Sequence, residues 1–160
     1  MSKIAIITDT HHGARGDNQN MLNYQKKFFD DIFFPTLKER QINHVIHMGD
    51  IVDRRTSINF NTLKHLHEDF LLPLSEQEIY MDVICGNHDV YYKSTNELNA
   101  FDSIFGAYDQ SMLISTYTEP TETEHGLFIP WINKENEKQS YDLLTNSRKR
   151  FIFGNYSKCV

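Results

Sequence analysis

The run IYMDVICGNHD, residues 79–89, changes character partway along its length. Ile79 to Cys85 is apolar and β-leaning, as in a strand buried on both faces. Gly86, Asn87, His88 and Asp89 then pack poorly and bind water or metals well. Two earlier apolar runs stop in the same way. KIAIIT (residues 3–8) ends at Asp9-Thr10-His11-His12-Gly13, and NHVIHM (43–48) ends at Gly49-Asp50-Ile51-Val52-Asp53-Arg54. One such ending is commonplace; Asp-x-His is frequent, and Gly-Asn-His-Asp alone reads as a turn with a helix cap. Three in order, each after a strand, point to one site.

The segments between these runs have helical spacing. Residues 21–40 place Leu22, Phe29, Ile32, Phe33 and Leu37 on one side, and Pro35 is expected to kink or split that helix. Residues 58–74 repeat the pattern with Ile58, Leu63, Leu66, Phe70 and Leu74, stopping near Pro73. Helical character returns over Glu97–Phe105. The βαβαβ order predicts an α/β fold whose sheet begins parallel, becomes mixed and is covered on both faces. Two shorter strands, 112–117 and 125–132, are expected on either side of the polar turn TEPTETE. A charged helix (134–146) and a strand (150–154) follow, with no repeat and no linker.

The chain has 160 residues, 39% hydrophobic, with 11 Phe and 8 Tyr, which suits one domain with one core. No run approaches the roughly 18 apolar residues of a membrane span. The N-terminus has no signal-peptide layout, so a soluble intracellular protein is expected. Cys85 and Cys159 read as two reduced thiols. The net charge of −6 lacks the basic footprint usual in nucleic-acid binders. Carboxylates clustered to hold cations lower net charge too.

In an open α/β sheet, ligands bind at the carboxyl ends of the strands. If the three strands are neighbours, Asp9, His11, Asp50, Asn87 and His88 converge there. Carboxylate, imidazole and amide oxygen form a donor set for Mn²⁺, Fe or Zn²⁺. Gly49 and Gly86 allow sharp turns and close approach of the backbone. His12 reads as a solvated loop residue, and His44 and His47 as packed or solvated ones.

DTHHG, GDIVDR and GNHD together resemble the calcineurin-like metallophosphoesterases, and within them the phage recombination endonuclease subunits of the SbcD type. The resemblance runs over residues 1–154 and takes in GNHDVYYKSTNEL and LFIPWINKEN. It implies a metallophosphoesterase sandwich with helices outside, acting as a DNA exo/endonuclease in recombination and repair. It also implies two divalent ions, Mn²⁺ foremost, with Mg²⁺, Fe or Zn²⁺ as alternatives. On this resemblance Asp9 and His11 bind one ion, Asp50 bridges both and Asn87 binds the second. His88 serves as general acid, Asp53 orients His88 through its carboxylate, and Arg54 holds a substrate phosphate. For Asp53 and Arg54 the competing reading is an exposed, salt-bridged turn. The implied partners are DNA, an SMC-like ATPase of the SbcC type and a second copy of the chain. The implied setting is the cytoplasm of a bacterial host, with a phage gene.

The family pattern continues with a Gly-His and then a Gly-His-x-His. Here RFIFG is followed by Asn155, and residues 155–160 match nothing in the pattern. The expectation is therefore an N-terminal part of the domain, incomplete at its C-terminus. Two other functions remain in view. GDIVDR also resembles the signature of phosphoprotein and dinucleoside-polyphosphate phosphatases, with Arg55 where that signature has Gly and GNHD in place of GNHE. An inactive truncated remnant is the other.

Overall fold

The three apolar runs form neighbouring parallel strands that end level with one another. The computed structural model describes residues 3–108 and 113–155, with the backbone alone over 106–108. Cys159 and the first residue of the strand expected at 112–117 lie outside the described residues. The first sheet has the order β1 (Ala5–Ile7), β2 (His44–His47), β3 (Tyr80–Ile84) and β4 (Ile114–Tyr117). Ile7 pairs with His47, and His47 with Val83, all in parallel. That register brings the loops after β1, β2 and β3 out of the sheet side by side.

The crossovers that make the sheet parallel are helical. A short turn, α1 (Ala14–Asp17), precedes α2 (Gln19–Phe28), whose N-terminus is capped by the Asn18 side chain accepting from the Asn20 and Met21 amides. A π-helical turn, Phe29–Phe33, joins α2 to α3 (Phe34–Arg40). The second crossover repeats the device: α4 (Phe60–Leu66), a π-helical turn His67–Leu71, then α5 (Leu72–Glu76). Pro73 does not stop its helix, contrary to the sequence expectation, whereas the 21–40 helix is split just before Pro35, as expected. Pro35 and Pro73 each follow a widened turn, where the Phe34 amide reaches the Phe29 carbonyl and the Leu72 amide reaches the His67 carbonyl. The extra residue per turn accommodates a ring that lacks an N–H and would crowd the carbonyl of a regular helix.

Strand alternation divides the core. Val45, Met81 and Val83 face the helices and meet Phe29, Phe33, Leu66, Phe70 and Leu74. Phe29 and Phe70 stack with ring centroids 4.8 Å apart and join the two crossovers. Ile46 and Ile84 face the other way, onto Phe128, with Tyr117 and Phe153 beside them. Phe128 belongs to a second sheet of order β5 (Thr121–Glu122), β6 (Leu127–Ile129) and β7 (Ile152–Gly154). β5 is antiparallel and β7 parallel to β6. The expected α/β sandwich is present, but its mixed character sits in this second sheet. The polar turn TEPTETE contains β5, and the strands flanking it belong to different sheets.

Two helices start later than their composition suggested. α6 (Ala100–Tyr108) begins where the Asn99 side chain accepts from the Phe101 and Asp102 amides. α7 (Glu137–Asn146) begins after a turn in which the Asn133 side chain accepts from the Glu135 and Asn136 amides. Buried asparagines also tie two distant stretches together. Asn96 donates to the carbonyls of Thr118 and Trp131, and Asn133 donates to Asn96. Asn136 donates to the Trp131 carbonyl.

Phe70 is fully buried and touches both crossovers as well as the rings of His12 and His47. Phe70→Ala is expected to cost about 3–5 kcal/mol, read as a lower midpoint in urea unfolding with an unchanged slope.

Candidate metal centre

Beyond the strands, the first two loops continue the parallel ladder. The Asp9 amide donates to the Gly49 carbonyl, His11 to Asp50 and His12 to Ile51, and the Asp53 amide returns a bond to His12. Following this path puts Asp9 (φ 52°), His11 (φ 42°) and Asp50 (φ 56°) in the left-handed region, next to Gly49 (φ 95°). That conformation costs a non-glycine residue on the order of 1 kcal/mol or more, and it clusters where side chains are aimed at a function. Here it turns three side chains toward one another. His11 Nε2 lies 3.5 Å from an Asp9 oxygen and 3.9 Å from Asp50 Oδ2. His11 Nδ1 lies 3.8 Å from the Asp53 carboxylate, and the His11 ring meets the His88 ring edge-on at 4.7 Å.

The third loop is locked onto the second by Asp89. Its buried carboxylate accepts from the amides of Asp50 (2.8 Å), Ile51 (2.9 Å), Val52 (3.3 Å) and Gly86 (2.9 Å). Burial raises its pKa to about 6, against the pull of those amides. The His88 amide in turn donates to Asp50 Oδ1 at 2.9 Å. Gly86 is required because a Cβ there would run into the Asp50 carboxylate and amide. His88 Nδ1 sits 2.6 Å from the Asp53 backbone carbonyl. A carbonyl only accepts, so Nδ1 carries the proton and Nε2 points away from it. The expected contact from the Asp53 carboxylate to His88 is thus made by the Asp53 backbone, and the carboxylate lies beside His11.

The other residues singled out from the sequence fall as follows. Asn87 is half-buried between Gly86 and His88 in the third loop. Arg54 is half-exposed, 3.3 Å from Asp17, the salt-bridged turn that competed with a phosphate role. His12 is buried, not solvated: Nδ1 donates to the Ile51 carbonyl and the ring stacks on Phe29. Burial lowers its pKa to about 4. His47 is fully buried. Its Nδ1 accepts from the Gly49 amide, so Nε2 donates to the Thr10 hydroxyl at 3.1 Å. Asn155, which stands where the family pattern has histidine, donates to the Met48 carbonyl at 3.1 Å and packs beside Gly49 and Gly86. Asp89 and His47 were missed as organisers. The one available signal was a carboxylate closing the Gly-Asn-His turn.

Two donor groups suit divalent ions. Asp9, His11 and Asp50 each offer an atom within 4.8 Å of the others, as do His11, Asp53 and His88. Carboxylate oxygens and imidazoles are ligands for Mn²⁺, Fe and Zn²⁺. The two groups share His11, and the buried Asp50 belongs to the first of them. Among the described residues, no helix is long and apolar enough to cross a membrane.

The profile of the calcineurin-like phosphoesterases matches residues 2–155. Exonuclease subunit 1 of Enterobacteria phage T4 is 27% identical over 160 aligned residues, covering 96% of this chain and 45% of the relative. The chain therefore spans less than half the length of that curated relative. The crystal structure of Pseudomonas putida nuclease MPE aligns at a TM-score of 0.49 and 18% identity, covering 81% of this chain and 54% of the other.

Asp89→Asn replaces a four-fold acceptor with a group that has one acceptor oxygen. The variant is expected to lose about 3 kcal/mol of stability in urea unfolding, because buried amides are left unpaired. A second outcome concerns pH. Burial lowers the His47 pKa from 6.5 to about 3, so the folded chain refuses a proton that the unfolded chain accepts. Its contribution is whole above pH 6.5 and is lost as pH falls below that value. Between about pH 7 and about pH 5 this amounts to about 2 kcal/mol, and His47→Gln is expected to flatten the slope by that amount.

Proposed function

The chain belongs to the calcineurin-like phosphoesterase family, and from that premise we propose that it is a metal-dependent phosphodiesterase of the nuclease branch, acting on DNA ends in recombination and repair. The observation that carries the reading is the convergence of Asp9, His11, Asp50, Asp53 and His88 at the level ends of β1, β2 and β3. The relative named as a phage exonuclease subunit supports DNA over small phosphoesters.

In this reading Asp9, His11 and Asp50 would hold one divalent ion, and Asp50 and Asn87 would serve the second. Bound ions of this kind activate a water and neutralise charge on the phosphoryl oxygens. The chain supplies the rest. Asp50 Oδ1 is pinned by the His88 amide, which leaves Oδ2 turned toward His11. The Asp53 carbonyl holds the His88 Nδ1 proton and steadies the imidazolium. Nε2 is then free to give a proton to the departing sugar oxygen. Arg54 contacts a substrate phosphate only by leaving Asp17. Mn²⁺ is the proposed ion. An SMC-like ATPase of the SbcC type and a second copy of the chain are the proposed protein partners, in the cytoplasm of a bacterial host carrying a phage gene.

The test is cleavage of linear duplex DNA by the purified chain with and without Mn²⁺, set against a phosphomonoester. The expected result is Mn²⁺-dependent loss of DNA ends, reduced about 10²–10⁴-fold by His88→Gln and at least as much by Asp50→Asn. Faster turnover of the phosphomonoester would instead support a phosphatase. No hydrolysis at any metal concentration would sink the enzymatic reading for this chain.

A further inference from the structure

A second group of metal-type donors lies between the two sheets, toward the N-terminal ends of β2 and β3. His44 and Ile46 share one face of β2, and Asp82 and Ile84 share the same face of β3. Since Ile46 and Ile84 pack on Phe128, His44 and Asp82 also face the second sheet. His44 pairs with Tyr80, which sets Asp82 diagonally across from it. His44 Nε2 lies 2.8 Å from Asp82 Oδ2. On the other side, the Tyr117 hydroxyl donates to Asp82 Oδ1 at 3.1 Å.

The third donor comes from the other sheet. The β5–β6 turn is closed by the Thr123 amide on the Gly126 carbonyl and by the His125 and Gly126 amides on the Thr123 hydroxyl. It sets the His125 ring 4.4 Å from the His44 ring. One atom each from His44, Asp82 and His125 falls within 4.8 Å of the others. They line a cavity of about 560 Å³ together with Glu124, whose carboxylate is 3.7 Å from His125 Nε2. Lys3 also lines the cavity, with its ammonium on the Arg40 carbonyl.

We propose that His44, Asp82 and His125 form a zinc-type site that clips the β5–β6 hairpin onto the first sheet, with Glu124 or water as fourth ligand. A simple ion pair explains His44 with Asp82, and nothing more. It leaves a second imidazole, from a different sheet, edge-on to the first, where two protonated rings would repel. A cation takes both nitrogens as neutral donors. Two imidazoles and a carboxylate are a zinc donor set, and Tyr117 on the distal Asp82 oxygen has the place of the group that orients a liganding carboxylate. Ligands about 2.0–2.1 Å from a tetrahedral ion stand roughly 3.3 Å apart, so the His44–Asp82 contact opens by about half an ångström and releases its shared proton. The set lies apart from the centre at the strand ends and shares no residue with it, and the inference does not rest on the phosphoesterase reading.

The experiment counts zinc retained after gel filtration by the full chain, by His125→Ala and by Asp9→Asn. It also follows the imidazole NMR signals of the unaltered chain during a Zn²⁺ titration. His125 lies in a partly exposed turn, so its loss spares the core. One equivalent is expected to be lost in His125→Ala and kept in Asp9→Asn, with the His44 and His125 signals shifting together at stoichiometric Zn²⁺. The rate of DNA cleavage by His125→Ala is expected to match the parent, which separates this test from that of the nuclease reading. Equal zinc in the parent and His125→Ala, or His44 and His125 signals unmoved by one equivalent of Zn²⁺, would overturn the proposal. Should His125→Ala fail to fold, the NMR titration of the unaltered chain decides alone.

Discussion

The buried Asp89 carboxylate is what the centre at the strand ends depends on. It gathers amides from the loop after β2 and from the loop after β3, so neither loop has an independent conformation. Bonds to a charged acceptor are each stronger than neutral ones, which offsets the cost of burying the charge. The offset is incomplete, since its pKa stays near 6 rather than falling below the ordinary carboxylate range. The return is orientation. With the Asp50 amide held on Asp89, the Asp50 side chain meets the His88 amide, and His88 meets the Asp53 carbonyl. The Asp50 carboxylate and the His88 ring are thus placed by the backbone of a neighbouring loop, while His11 sits among the side chains of Asp9, Asp50 and Asp53.

This explains how left-handed backbone at Asp9, His11 and Asp50 persists. Three such residues cost together on the order of 3–6 kcal/mol. Against that stand the ladder bonds from Asp9, His11 and His12 and the amides on Asp89. The ladder exists because β1, β2 and β3 are parallel and in register, and it simply continues past the strands. Beneath it, His12 and His47 are held neutral by burial and use their ring nitrogens to hold the Ile51 carbonyl, the Gly49 amide and the Thr10 hydroxyl. The helices covering that face owe their close packing to the same aromatic rings, with the two prolines absorbed in widened turns.

The two faces of the first sheet serve different chemistry. Its helical face carries the aromatic core and the neutral histidines. Its sandwich face carries Ile46 and Ile84 and, at the N-terminal ends of the strands, the His44–Asp82 pair that His125 joins from the second sheet. Strand alternation alone separates them: His47 and His44 lie on one strand of four residues and face opposite layers.

The sequence by itself determined the order of strands and helices, the parallel start of the sheet, and that Asp9, His11, Asp50 and His88 come together beyond the strand ends. These follow from local signals: apolar runs, helical spacing, and polar motifs at strand ends. It did not show that Pro73 lies within its helix or that a widened turn precedes each proline, because a π-helical turn has no mark in composition. Nor did it place the strands flanking TEPTETE in separate sheets, since pairing is a property of the whole fold. Tertiary structure alone decided that Asp89 is the organiser, that the Asp53 backbone rather than its carboxylate holds His88, and that His12 is buried. It also brought His125 to His44 and Asp82. All four depend on which backbone amides and carbonyls come within hydrogen-bond reach, or which faces meet, once distant segments pack. Residue type constrains what a side chain is able to bind; packing decides what is there to be bound.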